Sequence, residues 1–190
     1  MLKVESGCLL FLLGLFSLLH HMHLVFGNEE VEALIVMKKA LHDPGNVLQS
    51  WDPTDLVNPC TWFRITCGQV GRPDYNYVTR MELYSNAISG PIPEEFGNLT
   101  NLVSLDLYDN QLTGQIPHTL GSYNHLRFMR LQDNRFTGIV PRSFITIPTL
   151  QVLNVSENCI DTSVWNPPEV VNFFANFGDD SFANNPKRGC

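Results

Sequence analysis

The chain has 190 residues, enough for one domain of ordinary size, with 44% hydrophobic and 16% charged residues. Its formal net charge is −7. That balance argues against nucleic acid as a partner, because phosphate contacts need clustered Lys and Arg, and against polybasic docking on an anionic membrane.

Residues 1–27 read as a secretory signal peptide. Lys3 supplies a weakly basic start, which Glu5 offsets, and the apolar run CLLFLLGLFSLL (8–19) is too short to span a bilayer comfortably. Val25 and Gly27 stand at the small-residue positions before the expected cut. His20, His21 and His23 leave with the peptide, so they are not taken as a metal tract. The alternative is an N-terminal anchor that stays attached. No second apolar stretch follows, and the mature chain is expected to have no membrane span. Cys8 lies in the leader, and the mature chain keeps Cys60, Cys67, Cys159 and Cys190, an even number suited to an oxidising compartment.

Residues 28–77 are expected to form an N-terminal cap. Asn28 is placed to cap a helix through EEVEALIVMKKAL, with Val31, Leu34, Ile35, Lys38 and Leu41 in an amphipathic pattern that Pro44 and Gly45 end. VLQSW adds a helical turn. NPCTWFRITC (58–67) then brings Cys60 and Cys67 so close in sequence that they pair most naturally with each other, and Trp62 packs in the cap.

Residues 78–162 carry an internal repeat, seen in ELYSNAISGPIP (82–93), DLYDNQLTGQIP (106–117), RLQDNRFTGIVP (130–141) and the weaker NVSENCIDT from Asn154. Asn86, Asn110, Asn134 and Asn158 recur every 24 residues. Leu83, Leu107, Leu131 and Val155 precede them by three places, and Met81, Leu105, Met129 and Leu153 by five. Gly90, Gly114 and Gly138, then Pro93, Pro117 and Pro141, keep the same register. This is the leucine-rich-repeat signature, about four coils long. It predicts an α/β leucine-rich-repeat solenoid: a short right-handed horseshoe with a curved parallel sheet on its concave face and a helical N-terminal cap. The asparagine amides are expected inside the coils, forming a ladder on backbone groups that the turns leave unpaired. Residues 163–190 are expected to be a C-terminal cap, folded over the open end of the core by a Cys159–Cys190 bridge.

The segments NPCTWFRITC, ELYSNAISGPIPEEFGNLTNLVSLDLY, LRFMRLQDN, TLQVLNVSEN and SFANNP closely resemble the ectodomains of plant somatic embryogenesis receptor kinases and related small secreted plant leucine-rich-repeat proteins. The resemblance runs over residues 29–187 and implies a co-receptor-like module that contacts a larger repeat receptor kinase, or another extracellular or membrane-associated protein, through the cap and the inner face of the early coils. Three departures stand against a full transfer: about one coil fewer than the family ectodomains, a chain stopping at Cys190 with neither membrane helix nor kinase, and Arg64 where the family motif has histidine.

The outward strand positions form columns: Glu82, Asp106, Arg130, Asn154; Tyr84, Tyr108, Gln132, Ser156; and Arg80, Ser104, Phe128, Val152. Interfaces favour Tyr, Phe and Arg, so the expected partner-binding set is Phe63 and Arg64 in the cap with Glu82, Tyr84, Asp106, Tyr108, Phe128 and Arg130 on the concave face. Otherwise these are ordinary cross-strand packers. Asn98 and Asn154 head glycosylation sequons, the second on the concave face of the last coil, where a glycan would block that end.

No catalytic constellation is visible. His42, His118 and His125 lack ligand spacing, Glu94-Glu95 and Asp179-Asp180 are adjacent pairs, and no nucleophile or phosphate-loop motif occurs. The expectation is a secreted, apoplastic monomer, either free or held at the plasma membrane through a partner, with no cofactor, acting in receptor-kinase signalling or defence as a soluble co-receptor or decoy. The alternative is a secreted inhibitor of a foreign wall-degrading enzyme, like the polygalacturonase-inhibiting repeat proteins, which have more coils. Association with membrane-scaffold defence proteins is a third reading.

Overall fold

The computed structural model describes residues 29–52, 54, 58–68, 77–163, 173, 175–185 and 190. The expected signal peptide and the Asn28 cap lie outside the described residues. The first element is helix α1 (Glu29–Ala40), with Glu29, Glu30 and Glu32 in its first turn and Lys38 and Lys39 in its last, charges that complement the helix dipole. Its buried face is Val31, Ala33, Leu34, Ile35 and Met37. Lys38, expected in the apolar stripe, instead runs along the cap and donates from Nζ to the Trp51 carbonyl at 2.7 Å.

The described strands are, in chain order, β1 (Ile65–Gly68), β2 (Tyr77–Glu82), β3 (Ser89–Pro91), β4 (Ser104–Asp106), β5 (Gln111–Gln115), β6 (Phe128–Arg130), β7 (Arg135–Gly138), β8 (Val152–Asn154) and β9 (Cys159–Ile160). They form two sheets. One has the order β1-β2-β4-β6-β8, antiparallel at β1 and parallel thereafter. The other, β3-β5-β7-β9, is wholly parallel. The solenoid expected from the repeat is the fold observed, but the sequence reading anticipated a single sheet. The second arises because, past each asparagine turn, the chain runs extended with side chains alternating in and out. Ile88 and Ile92, Leu112 and Ile116, and Phe136 and Val140 point to the core, and the residues between them face away. Each coil then closes through a 3-10 turn whose Phe96, Leu120 or Phe144 is fully buried.

The cap is joined to the coils at Gly90. Its backbone has φ +112° and meets the end of α1 so closely that an added Cβ would lie 2.6 Å from the Ala40 carbonyl oxygen. Beside it, His42 and Ser89 exchange backbone hydrogen bonds of 2.8 and 3.0 Å. Cys60 is bonded to Cys67, with Cα atoms 5.4 Å apart. Trp62 is buried and stacks on Trp51 with ring centroids 5.9 Å apart.

The interior is threaded by asparagine. Asn110 Oδ1 accepts from the Ile88 amide of the preceding coil at 3.1 Å, while its Nδ2 donates to the Leu83 carbonyl of that coil and to Leu107 and Tyr108 of its own. Asn134 repeats this with the Leu112 amide at 2.9 Å and the Leu107 carbonyl at 3.0 Å, and Asn158 with the Phe136 amide at 2.9 Å and the Leu131 carbonyl at 3.0 Å. Asn86 opens the series, donating to Leu83 and Tyr84. Each is preceded by a residue with left-handed backbone, namely Ser85, Asp109, Asp133 and Glu157.

A fifth rung stands in the tail. Asn184 has the same left-handed backbone, Asn185 Oδ1 accepts from the Ile160 amide at 3.2 Å, and Asn185 Nδ2 donates to the Val155 carbonyl at 3.0 Å. The strand edge at β8 is covered as well, since Ser181 and Ala183 carbonyls accept from the Val155 and Glu157 amides. Cys190 is bonded to Cys159, and Phe173, Phe177 and Phe182 pack against the end of the core. The spacing of 27 rather than 24 residues between Asn158 and Asn185 hides this rung from the repeat count.

At the opposite end, Glu30 is buried, and its carboxylate accepts from the Val78 amide at 3.0 Å and from Asn101 Nδ2 at 3.5 Å. Burial raises its pKa above the ordinary glutamate range, against the smaller opposing effect of these hydrogen bonds. Folded Glu30 therefore holds its proton to higher pH than unfolded Glu30. Its contribution to stability is fully present below the unfolded pKa, about 4.3, and is lost as pH rises through the folded value. Glu30→Gln removes that titration while keeping an acceptor for Val78. In urea unfolding between pH 4 and pH 7, the variant is expected to lose less stability with rising pH than the wild type, and identical slopes would contradict this.

Candidate interaction face on the concave sheet

In-register pairing of β2, β4 and β6 sets Arg80, Ser104 and Phe128 in one row across the sheet, and Glu82, Asp106 and Arg130 in another. Immediately after β2 and β4, Tyr84 and Tyr108 stack face to face, with ring centroids 4.9 Å apart and planes 1° from parallel. Such a pair adds attraction beyond area burial and holds both rings in one orientation. Arg130 Nη1 meets Asp106 Oδ1 at 2.6 Å, its guanidinium lies 5.2 Å from the Phe128 ring, and the Ser104 hydroxyl donates to Asp106 Oδ2 at 2.7 Å. Arg80 pairs with Glu82 at 3.1 Å. Arg80, Glu82, Tyr84, Asp106, Tyr108, Arg130 and Gln132 line a shallow groove of about 400 Å³.

One expected contact residue is corrected here. Strand alternation puts Asp106 among the displayed side chains, yet it is only 3% exposed. Its strand position does point away from the core, but Arg130 and Ser104 cover the carboxylate. Asp106 thus orients Arg130 and is not open to a partner. Ser104, whose hydroxyl donates to that carboxylate, is buried as well.

The cap extends the face. Phe63 is 55% exposed, although its backbone is fixed: its amide donates to Ser50 Oγ at 2.8 Å and its carbonyl accepts from Trp51 Nε1 at 3.0 Å. An exposed apolar ring on a fixed backbone has less freedom to lose on binding than one on a mobile loop. Arg64 follows in left-handed backbone, φ 67°, and its carbonyl accepts from the Glu82 amide at 3.1 Å, which ties the cap to β2. The Arg64 guanidinium carbon lies 5.0 Å from the Phe63 ring and 5.3 Å from the Tyr84 ring. Phe63, Arg64, Tyr84 and Tyr108 therefore form one continuous row, and Phe128, Arg130 and Asp106 a second cluster beside it. Gln132, which sequence reasoning left unselected in its column, joins the groove with its Oε1 buried and lacking a hydrogen-bond partner. Its only sequence signal was its place below the two tyrosines.

Asn98 is exposed at the end of a 3-10 turn, away from this face. Asn154 is half-buried on β8, and its Oδ1 accepts from the Ser156 amide and hydroxyl. Among the described residues, no group of three or more His, Cys, Asp or Glu is arranged to hold a metal, and no helix is long and apolar enough to cross a membrane.

Residues 27–68 match the leucine rich repeat N-terminal domain, and residues 77–99, 101–123 and 125–147 each match the leucine rich repeat, together more than half of the chain. The chain belongs to the leucine-rich-repeat family. It is 50% identical over 80 residues to leucine-rich repeat protein 1 of Arabidopsis thaliana, a match covering 42% of this chain and 34% of that protein. The chain thus spans about a third of the length of the curated relatives it matches. Among solved structures, it is similar to a chain of the BIR3–SERK2 complex from Arabidopsis thaliana, with TM-score 0.55, 25% identity and coverage of 80% of this chain and 91% of that one. It is also similar to the ectodomain of the plant membrane receptor kinase GASSHO1/SCHENGEN3 from Arabidopsis thaliana, solved with CASPARIAN STRIP INTEGRITY FACTOR 2, with TM-score 0.62, 28% identity and coverage of 76% of this chain and 17% of that one. This leucine-rich-repeat chain therefore shares its fold with plant receptor-kinase ectodomains.

The Asp106–Arg130 pair has one nearly inaccessible and one partly exposed member. A double-mutant cycle with Asp106→Ala and Arg130→Ala, read by urea unfolding, is expected to give a coupling of about 1 kcal/mol, after discounting for solvent screening at Arg130. A coupling indistinguishable from zero would remove Asp106 as the residue that orients Arg130.

Proposed function

We propose that this protein is an extracellular protein–protein interaction module that acts with plant receptor kinases as a soluble co-receptor-like or decoy ectodomain. The observation that carries this reading is the continuous row of Phe63, Arg64, Tyr84 and Tyr108, which runs from the cap onto the early coils. Aromatic and arginine side chains dominate binding energy at protein interfaces, and here they stand on fixed backbone. The likeness to receptor ectodomains solved with protein partners supports the same reading. The leader read as a signal peptide at residues 1–27, the two disulfides and the sequons at Asn98 and Asn154 support secretion to the apoplast. The protein acts by binding rather than by catalysis, as a monomer, with residues 28–77 and 163–190 capping the repeats. A glycan on Asn154 would leave the cap-proximal coils as the working surface.

The test is binding of the secreted protein to a panel of plant repeat-receptor-kinase ectodomains, in parallel with a Tyr84→Ala plus Tyr108→Ala variant of matching thermal stability. We expect at least one receptor to bind, and the variant to bind it at least about tenfold more weakly. Absence of binding across the panel, or equal binding by the variant, contradicts the proposal.

A further inference from the structure

The charges of the concave face are not all satisfied. Arg80 is paired with Glu82 and Arg130 with Asp106. Arg64 has no carboxylate within ion-pair distance among the described residues, and its Nε is buried without a hydrogen-bond partner. Its neighbours are the Phe63 and Tyr84 rings, 5.0 and 5.3 Å away. Rings hold a guanidinium's plane but cannot accept its in-plane hydrogens, which are shaped for a carboxylate. The residue is also held in left-handed backbone, an arrangement unfavourable for any side chain but glycine, asparagine or aspartate, so its position is imposed by the surrounding fold. On a chain of net charge −7, this leaves Arg64 as a cation without an acidic partner among the described residues, at the centre of the proposed surface. Next to it, Gly45, Asn46, Val47, Gln49, Ser50 and the exposed Phe63 ring enclose an open groove of about 430 Å³.

We propose that Arg64 seats a carboxylate of a partner protein, while an apolar side chain adjoining that carboxylate enters the groove between Phe63 and Val47. This rests on the reading of the concave face as a protein-binding surface and adds the chemistry of what it binds. The guanidinium edge between the rings takes the carboxylate oxygens, and the rings exclude water around the pair, which strengthens it. Arg80 and Arg130 do not compete, because each already has its own acid.

The test uses three amino-acid probes and, as a sugar-acid control, digalacturonate. The protein, labelled with nitrogen-15, is titrated with N-acetyl-phenylalaninate, which has a terminal carboxylate, with N-acetyl-phenylalanyl-aspartic α-amide, which has a side-chain carboxylate, and with N-acetyl-phenylalaninamide, which has none. At least one acid should bind tenfold or more tightly than the neutral amide and shift the Arg64 Nε–Hε signal, with binding weakened by salt; which acid binds tighter assigns the source of the carboxylate. The preference should vanish in Arg64→Gln and in Arg64→Gly, the latter suited to the left-handed position, with thermal unfolding confirming that both fold. Equal affinity for acid and amide, an Arg64 signal that does not move, or digalacturonate binding as tightly as the peptide acids overturns the proposal. Receptor binding separates it from the broader reading. If Arg64→Gln binds a receptor normally while the Tyr84→Ala plus Tyr108→Ala variant does not, the carboxylate seat is wrong and the interaction face stands.

Discussion

The structure depends on one recurring bond pattern: an asparagine amide, inside each coil, that joins a backbone N–H and a backbone carbonyl of the coil before it. Each coil must turn sharply after its strand, through left-handed residues such as Asp109 and Asp133, and the turn leaves backbone polar groups facing an apolar interior. Left bare, each such group costs about 1–3 kcal/mol. Asn110, Asn134 and Asn158 satisfy them with both ends of one side chain, so that no coil is complete without its neighbour. Cooperativity in a chain of short repeats comes from such neighbour terms. The same pattern organises the described part of the tail. Asn185 extends the pattern one step past the last repeat, and the Cys159–Cys190 bond and three phenylalanines hold that step in place.

This rigid stack turns a row of side chains into a surface. Parallel strands in exact alignment superpose Tyr84 on Tyr108, and the Arg64 carbonyl on the Glu82 amide carries the row back into the cap. The antiparallel β1 is the adaptor: it gives the first coil a hydrogen-bonded neighbour while placing Phe63 and Arg64 at the rim of the concave face. Mechanical continuity between cap and coils, through Gly90 on one side and Arg64 on the other, is what allows residues distant in sequence to act as one patch.

Most of this fold was legible in the sequence because its constraints are local and periodic. A residue every 24 positions that must be asparagine, flanked by apolar residues three and five places earlier, leaves few other architectures. The second sheet was encoded too, in the alternation Ile88, Gly90, Ile92 and its copies, but glycine and proline in that stretch suggest turns before they suggest strands. Asn185 was missed because its spacing breaks the period. At the face, the outward columns were correctly aligned by strand alternation. Alternation gives direction and not exposure, which is why Asp106 was misjudged: whether an outward carboxylate is open depends on what the adjacent coil places over it. Neither the Arg64 backbone conformation nor its lack of an acidic partner among the described residues has any sequence signature.

The account stands or falls on the ladder reaching the tail. Native-state hydrogen exchange can read it at four amides that donate to asparagine oxygens in the next coil, those of Ile88, Leu112, Phe136 and Ile160. All four should be protected to near the global unfolding limit, and Asn185→Ala should release Ile160 first while Ile88 stays protected. An Ile160 amide that exchanges freely in the wild type, or one indifferent to the loss of Asn185, would contradict a ladder that runs through to the C-terminal coil.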